Sequence, residues 1–182
     1  MSSDSRYDRR SEIKTVLKKI ILSVLLVLEL FSIFFFSSQD SEKSSEASGV
    51  VCEIISRTVT PDFDELPKEE QEEIVAHYQF TVRKGAHMTE FALLAATSFL
   101  FFIYVIPFRP YPAFFSGVGF CAACAFFDEL HQSFVPGRSM QITDMLIDIG
   151  GGVAGALIAA LIRHLVIKRA GKKTADGEKT EV

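Results

Sequence analysis

The chain has 182 residues, 48% of them hydrophobic, with a mean hydropathy of +0.25 and a formal net charge of -4 from 19 Lys and Arg against 23 Asp and Glu. Its 17 Phe exclude a disordered chain, its three Cys exclude a disulfide scaffold, and a pI near 5.6 argues against a nucleic-acid partner. A positive mean hydropathy beside 23% charged residues means that apolar and charged positions are segregated in blocks, the pattern of a chain partnered by a lipid bilayer.

Residues 1–19 form a basic segment containing Arg6, Arg9, Arg10, Lys14, Lys18 and Lys19. Residues 20–36, reading IILSVLLVLELFSIFFF, carry Glu29 as their only charge and are near the lower limit for a helix crossing a bilayer. A basic stretch before an apolar run also fits a signal peptide. No small-x-small cleavage site follows it, however, and further apolar runs come later, so the segment reads as an uncleaved first span.

The connection over residues 37–84 is acid-rich, with Asp62, Asp64, Glu65, Glu69, Glu70, Glu72 and Glu73 clustered. Within it Val50, Val51, Ile54 and Ile55 recur at helical spacing, and Pro61 and Pro67 interrupt before Ile74, Val75 and Tyr78. One or two short helices on the membrane surface account for this pattern, and a solvated loop accounts for it equally.

A second span covers residues 85–106 and is stopped by Pro107, Pro110 and Pro112, whose rings break helices. A third covers 113–130. Pro136-Gly137 then suits the central positions of a type II turn, where the second residue takes positive φ, so the third and fourth spans are expected as hairpin neighbours. The fourth, 142–167, contains Gly150-Gly151-Gly152 and Gly155, small residues that let membrane helices approach closely. Residues 168–182 read as a disordered basic tail.

The expected fold class is therefore all-α: an integral membrane four-helix bundle with short extracytoplasmic surface helices between its first two spans. Basic residues cluster before the first span and after the last, where Arg163, Lys168, Arg169, Lys172, Lys173 and Lys179 stand. Positive segments stay inside, which predicts a multi-pass protein with both termini cytoplasmic and residues 37–84 outside. Cys121 and Cys124 have CxxC spacing, but inside an apolar helix they read as packing residues. Cys52 stands alone in the outer segment.

Charged side chains within spans are costly and by default mark a site. Here they converge. The second span opens with Arg83, Lys84, His87 and Glu90, of which Arg83, His87 and Glu90 share a helical face at i, i+4 and i+7. The third ends in Asp128-Glu129-Leu130-His131-Gln132, with Asp128, His131 and Gln132 at i, i+3 and i+4. The fourth begins with Asp144 and Asp148 at i, i+4, next to a face continued by Gly151, Gly152 and Gly155.

With Arg138 in the turn, these groups should meet near the outer boundary of the membrane. Ordinary helix-end behaviour explains some of them: Thr143 or Asp144 as a cap, and Arg83 and Lys84 snorkelling to the interface. It does not explain His87, Glu90 and Asp148, which lie one to two turns deeper and need partners there.

Two chemistries fit such a group. His87 or His131 acts as general acid or base, oriented by Glu90 or Asp128, while Arg83, Lys84 and Arg138 hold a phosphate. Alternatively, the carboxylates and a histidine hold a divalent cation that binds a phosphorylated lipid head group. Glu129, Gln132, Asp144 and Asp148 complete the binding set in either case. No P-loop, nucleophile elbow, HExxH or dinucleotide fingerprint is present.

Arg83-Lys84-Gly85-Ala86-His87-Met88-Thr89-Glu90-Phe91, the stretch from Asp128 to Arg138, and Asp144 through Asp148 with Gly151 to Gly155 closely resemble the VanZ-like family. Phe36-Ser37-Ser38-Gln39 and the Ser-rich stretch to Ser48 resemble the family's pattern after its first helix. The likeness covers residues 20–167, with motifs in order at three separate places. It implies a bacterial integral membrane protein of the cell envelope, in a family named for a member that lowers susceptibility to the glycopeptide teicoplanin. The family motif falls on Arg83, Lys84, His87, Glu90, Asp128, Glu129, Gln132, Pro136, Gly137, Arg138, Asp144 and Asp148. At the last of these relatives often carry Asn.

The leading expectation is an envelope protein whose polar outer site binds a lipid-linked precursor or glycopeptide-type ligand and affects teicoplanin susceptibility. The alternative is a membrane-embedded hydrolase or transferase acting on a lipid phosphate or glycan linkage. A transporter or proton path ranks last, because the polar residues cluster at one end rather than lining the full thickness.

Overall fold

The structure, a computed structural model, describes the backbone of residues 3–39 and 41–178 and the side chains of residues 9–39, 49–79 and 81–172. The side chains of Arg6, Lys173 and the Ser-rich stretch through Ser48, and all of Lys179, lie outside the described residues. Five α-helices follow in order: α1 (Ser3–Ser37), α2 (Ser41–Val59), α3 (Lys68–Tyr104), α4 (Pro110–Gln132) and α5 (Ile142–Glu178). A single 3-10 turn (Phe63–Glu65) separates α2 from α3, and no strand occurs among the described residues. Four of the helices, α1, α3, α4 and α5, are long and apolar enough to cross a membrane.

The helices outrun the apolar blocks that mark them. Before residue 20 the chain has Glu12, Lys14, Leu17, Lys18 and Lys19, all good helix formers, and no Gly or Pro, so α1 starts far ahead of its apolar run. At the other end α5 continues to Glu178, so the expected structureless tail is helical over most of its length.

The largest departure is in α3. Pro67 caps it, Glu69 and Glu70 sit in its first turn where the helix dipole favours acids, and no proline follows until Pro107. Ile74, Val75 and Tyr78 therefore belong to the same rod as the second span, in place of a loop or a separate surface helix. At 1.5 Å per residue its 37 residues extend about 55 Å, whereas about 20 suffice for a bilayer core of roughly 30 Å. Residues 85–104 meet that need, and the preceding turns form a projecting arm.

α2 is the one separate helix of the connection, and it packs along this arm. Phe63 is buried at the corner between them, with the Arg57 guanidinium 5.7 Å from its ring centre. Arg57 also pairs with Glu53 at 2.8 Å and with Asp64. Cys52 is fully buried, and burial pushes its thiol above the usual range.

Within the spans α5 packs most extensively on α3, and glycine explains how. A Cβ on Gly151 would lie 2.5 Å from the Met88 carbonyl oxygen, and one on Gly155 would run into the backbone of Ala92. Gly117 gives α4 the same access to α3, since a Cβ there would be 2.9 Å from the Phe99 nitrogen. These are backbone-to-backbone contacts that only glycine permits, as the small-residue run suggested. Phe91, Leu94, Ala95, Cys121, Ala125 and Ala156 fill the seam, with both membrane cysteines in packing positions.

α1 lies on the edge, against α3 and less closely α4. Glu29 accepts a hydrogen bond from Thr97 of α3 at 2.8 Å. Most other large side chains of α1 face outward: Phe31 is 66% exposed, and Leu161 on α5 58%. In water such a surface would drive aggregation, whereas lipid is its natural solvent.

Lys18 of α1 stands 3.4 Å from the ring centre of Tyr104, the last residue of α3, and both line a groove with Arg163 of α5. The early part of α1 and the late part of α5 thus share one end of the bundle. The charged motifs gather at the other.

Candidate functional site

The turn between α4 and α5 sets the site's geometry. The Arg138 N–H donates to the Val135 carbonyl at 3.1 Å across Pro136-Gly137, and Gly137 has φ 77°, as the sequence pattern requires of a type II turn. Two further ties hold this connection to α4 and α1. The Gln141 N–H donates to Glu129 Oε2 at 2.8 Å, and Arg138 Nη1 reaches the Ser37 carbonyl at 3.5 Å. Glu129 is only 1% exposed, so its carboxylate is spent on closing the loop onto α4.

Beneath the turn lies a cavity of about 170 Å³. Arg83, Lys84 and His87 reach it from α3, Glu129 and Gln132 from α4, Arg138 from the turn, and Asp144 and Asp148 from α5. Ser139 and Gln141 also line it; sequence reasoning did not single them out, although their place just after the Pro-Gly turn was a usable signal. Lys84 and Asp144 form an ion pair across the α3–α5 seam, largely shielded from solvent. The Asp144 carboxylate thus partners a neighbouring helix, and Lys84 does not snorkel away.

Asp128, 6% exposed, adjoins the cavity without lining it and accepts a hydrogen bond from Gln132 Nε2 at 2.7 Å. One ligand atom each from His87, Asp128 and Asp148 lie within 4.8 Å of one another. His87 Nδ1 is buried without a hydrogen-bond partner, and the Glu90 carboxylate is 3.9 Å from it. Glu90 does not line the cavity, so it flanks His87 from outside.

His131 is placed elsewhere. Its Nε2 is 3.1 Å from the Ser38 hydroxyl and its ring is 4.6 Å from that of Phe34, so it faces α1. The expected shared face of Asp128, His131 and Gln132 is corrected. Spacing of i, i+3 and i+4 covers a sector wide enough for its two sides to meet different neighbours, and α1 packs on the His131 side.

Of the eleven residues singled out for catalysis or binding, Arg83, Lys84, His87, Glu129, Gln132, Arg138, Asp144 and Asp148 surround one cavity. Asp128 adjoins it through His87 and Asp148, while Glu90 and His131 stand aside. Acidic and basic side chains thus share a pocket that opens where three spans end.

A helical bundle with four membrane-crossing segments and a charged cavity at one end is a multi-pass membrane protein with a polar site set in an apolar body. The family follows from the sequence that builds it. Residues 20–163 match the VanZ/LLP1 family model, and the chain belongs to that family. No curated protein and no solved structure matches the chain. The matched stretch includes every residue of the cavity.

Proposed function

We propose that this cavity binds the phosphate of a lipid-linked cell-envelope precursor at the extracytoplasmic face of a bacterial membrane, and that binding alters susceptibility to glycopeptides such as teicoplanin. The carrying observation is that Arg83, Lys84 and Arg138 converge on one cavity at the end of the spans. Such a group suits an anionic oxygen cluster, and Arg presents the fork that matches it.

Cavity size narrows the ligand. Pockets that swallow drug-sized molecules run from roughly 300 Å³ upward. A space of about 170 Å³ suits a head group, with the remainder of the molecule lying outside it. The placement outside follows from the basic residues of α1 and α5, which lie at the opposite end of the bundle and favour the cytoplasm for both termini. Residues 20–167 then form the membrane domain, flanked by a cytoplasmic segment at each end.

Binding is tested with purified protein in nanodiscs and a polyprenyl phosphate as probe. Wild type should bind it saturably, and Arg138→Ala and Arg83→Ala should each weaken binding at least tenfold. In a glycopeptide-sensitive Gram-positive host, wild type should raise the inhibitory concentration of teicoplanin, and Asp144→Ala or His87→Ala should abolish the increase. Unchanged susceptibility in several hosts would remove the resistance reading, and absence of lipid-phosphate binding would remove the ligand.

The second reading, a hydrolase or transferase at the same linkage, is favoured by one observation: His87 approaches two buried carboxylates beside the phosphate-binding wall, as general acid–base chemistry requires. Mass spectrometry of lipid extracts from cells with wild type and His87→Ala decides it. Identical precursor profiles would leave binding without chemistry.

A further inference from the structure

Arg83, Lys84 and Arg138 bring three basic groups to the cavity and Glu129, Asp144 and Asp148 bring three carboxylates, with Asp128 adjoining them. A buried carboxylate inside a membrane-embedded bundle is costly unless a partner offsets it. The cations and the anions are also partly sorted. Lys84 pairs with Asp144 and Glu129 is held by the Gln141 N–H, which leaves Asp128 and Asp148 together beside His87.

These three side chains form a buried cluster of candidate ligands. Asp148 is 3% exposed and Asp128 6%, so neither carboxylate is solvated by bulk water. Among the described residues no hydrogen bond reaches the Asp148 carboxylate, and Asp128 has one donor, Gln132. His87 completes the group, with one ligand atom from each of the three residues within 4.8 Å of the others, and its Nδ1 is buried without a hydrogen-bond partner. Gln132 donates to the Asp128 carboxylate, as outer partners of metal ligands do.

We propose that His87, Asp128 and Asp148 bind one divalent cation at the edge of the cavity. One nitrogen and two carboxylate donors suit Mn²⁺ or Zn²⁺ better than Ca²⁺, which takes more oxygen ligands in a looser cage. Three protein ligands leave coordination positions open toward the cavity, where Arg83, Lys84 and Arg138 stand. An anionic oxygen entering there would bridge the cation and the basic wall. This role rests on the head-group reading above, whereas the cation site itself rests on the three side chains.

The experiment is a titration of purified full-length protein in detergent with Mn²⁺ alone, following the free-ion electron paramagnetic resonance signal, and with Zn²⁺ in competition. One Mn²⁺ should bind per chain, be displaced by Zn²⁺, and be lost on adding EDTA. Asp148→Asn and His87→Gln should each weaken binding at least tenfold, while Arg83→Ala should retain it. Circular dichroism and size-exclusion profiles establish that the variants fold; where Asp148→Asn does not, Asp128→Asn and His87→Gln carry the comparison. No saturable binding by wild type, or equal affinity in folded His87→Gln and Asp-to-Asn variants, overturns the proposal. Polyprenyl phosphate binding that persists in EDTA would overturn the bridging role and leave the head-group reading standing. Mn²⁺ binding without lipid-phosphate binding would overturn the head-group reading, and the bridging role with it, and leave the cation site standing.

Discussion

The seam where α3, α4 and α5 meet and the periphery formed by α1 and α2 are held together by different physics. In the seam, glycines bring backbones into contact, the Lys84–Asp144 ion pair crosses between α3 and α5 and the Gln141–Glu129 hydrogen bond ties the turn to α4, so a small displacement has no slack to absorb it. At the periphery, α1 rests on α3 through a mostly lipid-facing surface and the Glu29–Thr97 hydrogen bond, and α2 rests on the projecting arm. The difference explains why the charged cavity draws nearly all its side chains from the three inner helices and the turn between two of them. Groups that must be held to within a fraction of an ångström are placed where backbones cannot slide.

The harshest way to break this contrast is Gly155→Leu. A side chain at this position meets the Ala92 backbone, which cannot swing away as a flexible side chain would. The expected loss is upwards of about 3 kcal/mol, seen as failure to accumulate a monodisperse protein in detergent. The same change at Gly119, where nothing lies near a Cβ, should leave the protein intact.

Next in size is Lys84→Ala, which leaves Asp144 shielded and without its partner, at a cost of about 3 kcal/mol in thermal unfolding. The double variant Lys84→Ala/Asp144→Ala should recover at least half of that loss. No recovery would mean the pair does not bind the seam together.

At the periphery the effects should be small. Thr97→Val removes the hydrogen bond to Glu29 and is expected to cost only about 0.6 kcal/mol, the typical value for such bonds between membrane helices. A loss approaching that of Lys84→Ala would erase the distinction drawn above. Cys52 probes α2 more gently still. Its raised thiol pKa means less thiolate at any pH below that value, so maleimide should modify it slowly at pH 8 in the folded protein and readily after denaturation, as read by peptide mass spectrometry. Fast labelling of the native protein would show α2 detached from the arm.

Much of this arrangement is legible in the sequence because lipid and glycine leave strong marks. Apolar blocks reveal four spans, Pro136-Gly137 reveals the hairpin, and Gly151 and Gly155 reveal the seam. The intramembrane charges on three helices point to a common site, and eight of the eleven residues singled out do share one cavity. Two features were hidden for stated reasons. The beginning of α3 is acidic and amphipathic, so hydropathy separates it from the span although no helix breaker does. His131 turned away because the side on which α1 packs is a tertiary fact that spacing along α4 does not encode.

The unbroken course of α3 has a mechanical consequence. The projecting turns that carry α2 and the turns that carry Arg83, Lys84 and His87 are one rod, joined without a loop. Gly151 and Gly155 of α5 hold that rod at Met88 and Ala92, just beyond His87. The same backbone contacts therefore fix both the direction in which the arm leaves the bundle and the position of Arg83, Lys84 and His87 in the cavity wall.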